Sequence, residues 1–417
     1  VSLHATPDPY ANPAAFGQRM QILRERRGMT RQVLAGLLGK STDWVKSVES
    51  GRMQAPGIEM VYRIAEALRV RELSDLTGHG EYKVDLFLGP GHPRLAAVRA
   101  AIEARPLGTP GSAPPRAEHL AARLAVAWKA RHEAANHREK IGALLPDLIR
   151  DAQLSVKHAG EPSEWRAAQA VLAEVYSLAQ FFLAYQPDPS LLWRVAERGM
   201  VAAEQSDDPH AIGVSSWLLA QAHRDTGPSH YDQADSITNQ ALEYLTPLLP
   251  DATDDILAIA GALTFEAGYT AARRGSTAAA WHRWDTAREM AERLPASYYH
   301  PITSFSQAIM GAHAVTVAVE LHHGPESVRQ AAQADVATIP SRPRRARHRI
   351  EEARGYQLDG QPDVAIATLE KAHHAAPETI RYNGYARSII LEQTESKVAH
   401  RRRRAAELAV EMGLLAA

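Results

Sequence analysis

Between Met29 and Arg52 the chain reads MTRQVLAGLLGKSTDWVKSVESGR, and few folds accommodate that order of caps, apolar positions and stops. Thr30 offers its hydroxyl to the free amides of a first helical turn. Val33, Leu34, Leu37 and Leu38 recur at three- and four-residue spacing and predict one apolar stripe. Gly39 falls where a helix ends in the left-handed conformation that other residues adopt at a cost. Ser41 is placed to cap a second short helix whose Val45 and Val48 face the same core, and Gly51 ends it. A longer helix precedes the pair (Phe16, Met20, Ile22, Leu23) and another follows (Ile58, Met60, Val61, Ile64, Ala65, Leu68). A last short helix from about Arg71 to Leu76 makes five around one small core.

This pattern resembles the Cro and phage-repressor type of helix-turn-helix, the XRE family. The resemblance runs through RMQILRERRGMTRQVLAGLLGKSTDWVKSVESGR and the later YRIAEALRV. It implies that Arg24 in the first helix and Glu49 near the end of the third form a partly buried ion pair, a specifier of geometry more than a large stabiliser. It places the base-reading positions on Thr42, Asp43, Lys46 and Ser47, and a phosphate contact on Arg31. Lys40, Ser41, Trp44, Ser50 and Arg52 fall on the same implied DNA-binding surface. Two residues depart from the family pattern. Asp43 is suited to accept from a cytosine amino group but is repelled by phosphate. Trp44 either presses on a thymine methyl or packs against the second helix.

Charge agrees with that surface. Residues 16–76 carry eleven Lys or Arg against seven Asp or Glu, whereas the whole chain has a net charge of −1. A basic module on a neutral body suits neutralisation of a few phosphates. The surplus is small for one copy, and half-sites one helical turn apart, about 34 Å, are read by a two-fold dimer. A homodimer on a palindromic operator is therefore expected.

The chain has no cysteine, which excludes disulfides, thiolate zinc sites and cysteine nucleophiles. No apolar run is long enough to span a bilayer, and VSLHATPDPYANP reads as neither a secretory signal nor an anchor. A cytoplasmic protein with no membrane partner is expected.

Residues 1–15 read as a tail and 16–77 as the helix-turn-helix domain. Residues 78–115 mix Gly, Pro and Ser around one short helix (about Pro93 to Arg105) and read as a linker. From 116 to 417 one helical pattern follows another, broken by HAGEPS, QPDPS, QSDDP, TGPSHYD, RRGST, LPASYYHP, HHGPES and LDGQPD. That is the sign of a helical-hairpin solenoid. ARGYQLDGQPDVAIATLEKAHHAAP resembles a tetratricopeptide repeat through Ala353, Tyr356, Gly360, Ala365, Leu369, Ala372 and Pro377. Gly268, Gly275, Ala280, Trp284 and Ala287 form a second such unit. Ala222, Ala234 and Ala241 form a looser third, with Thr238 where a bulky residue is usual. The fold class expected is all-α: a five-helix Cro-type domain joined by a linker to a right-handed tetratricopeptide-like solenoid.

The first helices of such hairpins line a concave face that commonly binds ligands. The repeat's inward positions fall on Ser216, Leu219 and His223, on Phe265, Tyr269 and Arg273, and on Arg347, Ile350, Arg354 and Gln357. The candidate ligand residues are Ser216, His223, Phe265, Tyr269, Arg273, Arg347, Arg354 and Gln357. SRPRRARHRIEE sets Arg342, Arg344, Arg345 and Arg347 at a helix start, where positive charge opposes the helix dipole. With HRRRR at 400–404 it points to an anionic partner, a dimer contact or flanking DNA, unless both are simply solvated faces.

Other motifs fail. GKS at 39–41 lacks the earlier glycine and the strand of a phosphate loop, and His132-Glu133 lacks a second histidine at zinc-protease spacing. The doublets His322-His323 and His373-His374 do not share a helix face. No catalytic set, metal or cofactor is called for. The reading is a transcriptional regulator similar to actinobacterial XRE regulators with repeat tails and to the peptide-pheromone receptors of Gram-positive bacteria. Its partners are double-stranded DNA, a second copy and a peptide or small-molecule effector. Few asparagines (136, 239 and 383) are present in the repeats to clamp a peptide backbone. The alternative is a repeat scaffold, or an antitoxin- or phage-type repressor, controlled by a protein partner.

Overall fold

The computed structural model describes residues 13–53, 56–68, 70, 76–77, 91–105 and 115–415. These residues are helical or irregular, with no strand among them. The chain divides into two compact units, Val1–Val84 and Asp85–Ala417.

The first unit holds α1 (Pro13–Arg26), α2 (Arg31–Leu38), α3 (Thr42–Glu49) and α4 (Ile58–Ala67). Thr30 Oγ1 accepts from Val33 N at 3.2 Å, and Ser41 Oγ accepts from Trp44 N at 3.1 Å, so both short helices are capped by their own sequence. Gly39 stops α2 at φ 64°, a left-handed conformation that a side chain would strain. One core joins Phe16, Met20, Leu34, Ala35, Leu38, Val45, Val48, Val61, Ile64, Leu68 and Leu76. The expected stripe on α2 needs correction. Leu34 and Leu38 are buried with Ala35, while Val33 and Leu37 are 51% and 56% exposed. At about 100° per residue, Leu34, Ala35 and Leu38 share one arc and Val33 and Leu37 lie beside it. Ile22 is likewise exposed on α1, where Arg24 is buried instead. The helix expected near 71–76 lies mostly outside the described residues, as do the first twelve residues and most of 78–114.

The second unit begins with α5 (Leu95–Glu103). The linker helix expected here belongs to the repeat core: Leu95, Val98 and Ile102 are buried with Leu120, Leu124, Ile141 and Leu145. Its i, i+3, i+7 apolar positions had no other surface to cover. Pairs of helices follow: α6 (Ala117–Glu133) and α7 (His137–His158), α8 (Pro162–Leu183) and α9 (Pro189–Ser206), α10 (Pro209–Thr226) and α11 (Tyr231–Leu245). Then come α12 (Asp254–Arg273) and α13 (Thr277–Glu292), α14 (Met310–Glu320) and α15 (Gly324–Gln333), α16 (Arg342–Leu358) and α17 (Pro362–Ala375). The array ends with α18 (Pro377–Tyr382), α19 (Gly384–Thr394) and α20 (Ala399–Glu411).

The sequence breakers set the turns. Pro162, Pro189, Pro209, Pro362 and Pro377 each open a helix, where the missing N–H costs no hydrogen bond. Asp188 and Asp208 cap their helices by accepting from Leu191 N and His210 N. Small residues hold the pairs close, with Ala280, Ala287, Ala353, Ala365 and Ala372 all buried. Thr238 is fully buried where a larger side chain was usual, its hydroxyl donating back to Ala234 O at 2.7 Å.

Contacts distant in sequence tie the start of this unit to its end. His132 at the end of α6 bonds Ser341 Oγ at 2.9 Å and Pro301 O at 2.8 Å. The Glu378 carboxylate accepts from Arg138 N at 2.6 Å and Glu139 N at 3.3 Å, so α18 caps the N-terminus of α7.

Candidate nucleic-acid interface and the inner face of the repeats

The position of α3 is fixed by a buried charge cluster. Glu49, almost fully buried, accepts from Arg24 Nε at 2.6 Å and Arg24 Nη2 at 3.1 Å. Arg31 Nε donates to the same carboxylate at 2.6 Å, and Arg24 Nη1 donates to Met29 O at 2.8 Å. One carboxylate thus joins α1, the turn after it, α2 and α3. Its hydrogen bond holds the Arg24 guanidinium above the usual arginine range. Gly17 permits the closest approach of all: a β-carbon there would lie 2.1 Å from Val48 O and 2.7 Å from Glu49 O. Helix α1 therefore rests directly on the last turn of α3.

With that turn clamped, the other face of α3 is presented outward. Ser41, Thr42, Asp43, Lys46 and Ser50 are exposed and Ser47 is half-buried. Lys40 is exposed just before the helix, its ammonium 5.9 Å from the Trp44 ring. Trp44 is half-buried against the core, which favours packing over a base contact. Arg52 Nε donates to Ser50 Oγ at 3.1 Å, and Ser50 Oγ donates to Ser47 O at 3.2 Å, so these three form one ordered edge beyond α3. Arg31, expected at a phosphate, spends its Nε on Glu49 and is 39% exposed.

On the inner face of the repeats the candidate residues separate into groups. Tyr269, Arg273, Arg347, Arg354 and Gln357 are brought together around acids that sequence reasoning had passed over. Arg354 Nη1 donates to Glu320 Oε1 at 2.7 Å and Glu351 Oε2 at 2.6 Å. Arg347 pairs with Glu351, and Arg273 with Asp225 at 3.3 Å. The Tyr269 hydroxyl donates to Glu320 at 3.3 Å, and burial pushes it well above the usual phenol range. Gln357 Nε2 reaches Glu392 at 2.6 Å. Arg354, Gln357, Tyr385 and Ser388 line a cleft of about 160 Å³. The other three stand apart. Ser216 is buried against Met200, His223 lies edge-on to Trp193, and Phe265 is core, stacked on His313 at 3.6 Å.

The basic runs are largely absorbed by structure. Arg345 donates to Ile339 O and Pro340 O, and Arg342 to Ala375 O. Arg401 binds Asp363 and Arg404 binds Glu370, fastening α20 to α17. One signal was legible and missed. Arg131 continues the buried series Leu120, Leu124, Ala127, Trp128 at helical spacing, so a cation occupies an inward position.

The N-terminal unit thus has the fold and exposed helix of a helix-turn-helix domain. Residues 15–75 match the family model described as a helix-turn-helix domain, and the domain is of the XRE type. No curated protein matches the chain. Among solved structures the chain is similar to PlcR of Bacillus thuringiensis, in complex with the peptide PapR7 and DNA. That likeness has 12% identity and a TM-score of 0.31, over 85% of this chain and 99% of that one. It is also similar to the apo form of the competence regulator ComR from Streptococcus vestibularis, with 13% identity, TM-score 0.24 and coverage of 73% and 98%. ComR from S. thermophilus in complex with DNA and its signalling peptide ComS gives 14%, 0.19, 66% and 93%. No helix among the described residues is long and apolar enough to cross a membrane.

Proposed function

We propose that the protein is a sequence-specific, non-enzymatic transcriptional regulator of the cytoplasm. It acts as a homodimer whose two α3 helices enter successive major grooves of a palindromic operator. The observation that carries this reading is the outward face of α3: a short capped helix, clamped from behind by Glu49, with Thr42, Asp43, Lys46 and Ser47 directed away from the core. Thr42, Asp43, Lys46 and Ser47 contact base edges. Lys40, Ser41, Ser50 and Arg52 contact phosphate, and Arg31 contributes chiefly by orienting Glu49. Trp44 braces α3 against α2. Residues 16–77 form the DNA-binding module, and the repeat unit, with α5 as part of its core, senses an effector and dimerises. An effector, peptide or small molecule, that prefers one arrangement of the dimer shifts DNA affinity by that preference.

The test is a gel shift on the DNA upstream of the protein's own gene, at several salt concentrations. Lys46→Ala is expected to weaken binding and to relax specificity at one base pair. Unchanged affinity, specificity and salt slope in the Lys46→Ala, Thr42→Ala double variant would remove α3 from the interface.

A further inference from the structure

Four arginines of the repeat interior have carboxylate partners: Arg224 with Glu266, Arg273 with Asp225, Arg347 with Glu351, and Arg354 with Glu320 and Glu351. Two do not. Among the described residues neither Arg131 nor Arg344 forms an ion pair with a carboxylate. Arg131 Nη1 is buried with no hydrogen-bond partner, and its guanidinium carbon lies 4.1 Å from the Phe181 ring centre and 5.8 Å from that of Trp128. Arg344 donates only to the imidazole His313 Nε2, at 3.0 Å. The hydrogen bond from His132 to Ser341 brings these arginines to one place, since each lies within a turn of that contact. The Tyr299 ring is 6.0 Å from that of His132, and its hydroxyl is also buried without a partner.

Both arginines keep some accessible surface. Yet burial, with Arg138 and Arg344 nearby, pulls Arg131 down to about 10, and Arg344 is lowered by burial too. Their surroundings are largely protein, with Arg131 lying over the Phe181 and Trp128 rings, while part of each side chain stays open to an incoming ligand. A protein gains no stability from unpaired guanidinium groups in such a place. A planar fork of N–H donors over aromatic rings is suited to an incoming carboxylate or phosphate.

We propose that the interior where the end of α6 meets the start of α16 binds a small oxyanion-bearing ligand, a carboxylate or a phosphate, held by Arg131 and Arg344 with the Tyr299 hydroxyl as a third donor. The site goes beyond the DNA-binding reading and does not depend on it.

The experiment measures thermal unfolding and Trp128-sensitive fluorescence of the full chain without DNA. The arms are sodium phosphate, sodium succinate and sodium chloride at matched ionic strength. Phosphate or succinate at about 10 mM is expected to raise Tm by about 3 °C or more over chloride, and the larger response identifies the source of the anion. Arg131→Gln and Arg344→Gln are each expected to abolish that difference, and Tyr299→Phe to reduce it. Arg131→Gln without added anion should unfold no earlier than the parent, because it removes an uncompensated charge. Three results overturn the proposal: no difference between the salts, an anion effect that survives in both glutamine variants, or a marked fall of Tm in anion-free Arg131→Gln.

Discussion

Acidification is expected to unfold the repeat unit well above the pH at which carboxylates titrate. Burial holds His132 down to about 4, His137 to about 2 and His300 to about 3, against an ordinary value of 6.5. Nearby positive charge adds to the effect, from Arg131 at His132 and from Arg138 at His137. Above pH 6.5 these imidazoles are neutral in both native and unfolded chains and contribute nothing to pH dependence. Below it the unfolded chain binds protons that the native chain refuses, so stability falls as pH falls, until the native values are reached. Each histidine contributes a slope of about 1.4 kcal/mol per pH unit, so three give about 4 kcal/mol per unit and a loss of about 6 kcal/mol at about pH 5. A domain is typically stable by about 5–15 kcal/mol, so the effect is decisive. His313, also held well below its usual value by burial, acts in the same direction. Urea unfolding followed by tryptophan fluorescence reports the right unit, because every tryptophan except Trp44 lies in it. The free energy should be flat between about pH 8 and 7 and drop steeply below 6.5, with His137→Leu reducing the slope by about a third. Equal stabilities at pH 7 and 5 would refute the reasoning.

Three further outcomes concern the DNA-facing unit, each read by hydrogen exchange of α1–α3 amides. Gly17→Ala forces a β-carbon onto the Val48 and Glu49 carbonyls and should cost about 2 kcal/mol or more. Its gel shift should weaken in parallel. Glu49→Gln leaves buried Arg24 with only the exposed Glu25 carboxylate, 3.3 Å from its Nη2, and should cost about 3 kcal/mol. Arg31→Ala, on the exposed side of the same carboxylate, should cost about 1 kcal/mol. Leu34→Ala should lose about 2–5 kcal/mol by opening a core cavity, whereas Leu37→Ser should stay within about 0.5 kcal/mol. Equal costs at the two leucines would contradict the burial described above.

What the amino-acid order determined by itself was local. Thr30, Gly39 and Ser41 marked the starts and stops of α2 and α3 because capping and left-handed turns are decided within a few residues. The prolines and aspartates at 162, 188–189, 208–209, 362 and 377 marked the repeat turns for the same reason. The residues proposed to face DNA could be named from the resemblance, since a capped helix after a fixed turn has one outward side. Periodicity was less able to tell which arc of α2 is buried: Val33 and Leu37 fit the stripe as well as Leu34 and Leu38, and only packing against Val45 and Ile64 separates them. Tertiary structure alone decided where charge goes. Arg31 turned to Glu49, eighteen residues away, instead of standing free. His132 met Ser341 across 209 residues, leaving Arg131 and Arg344 without acids. Such pairings depend on the small rotation added at each stacked hairpin, summed over the whole array. No window of sequence contains that sum.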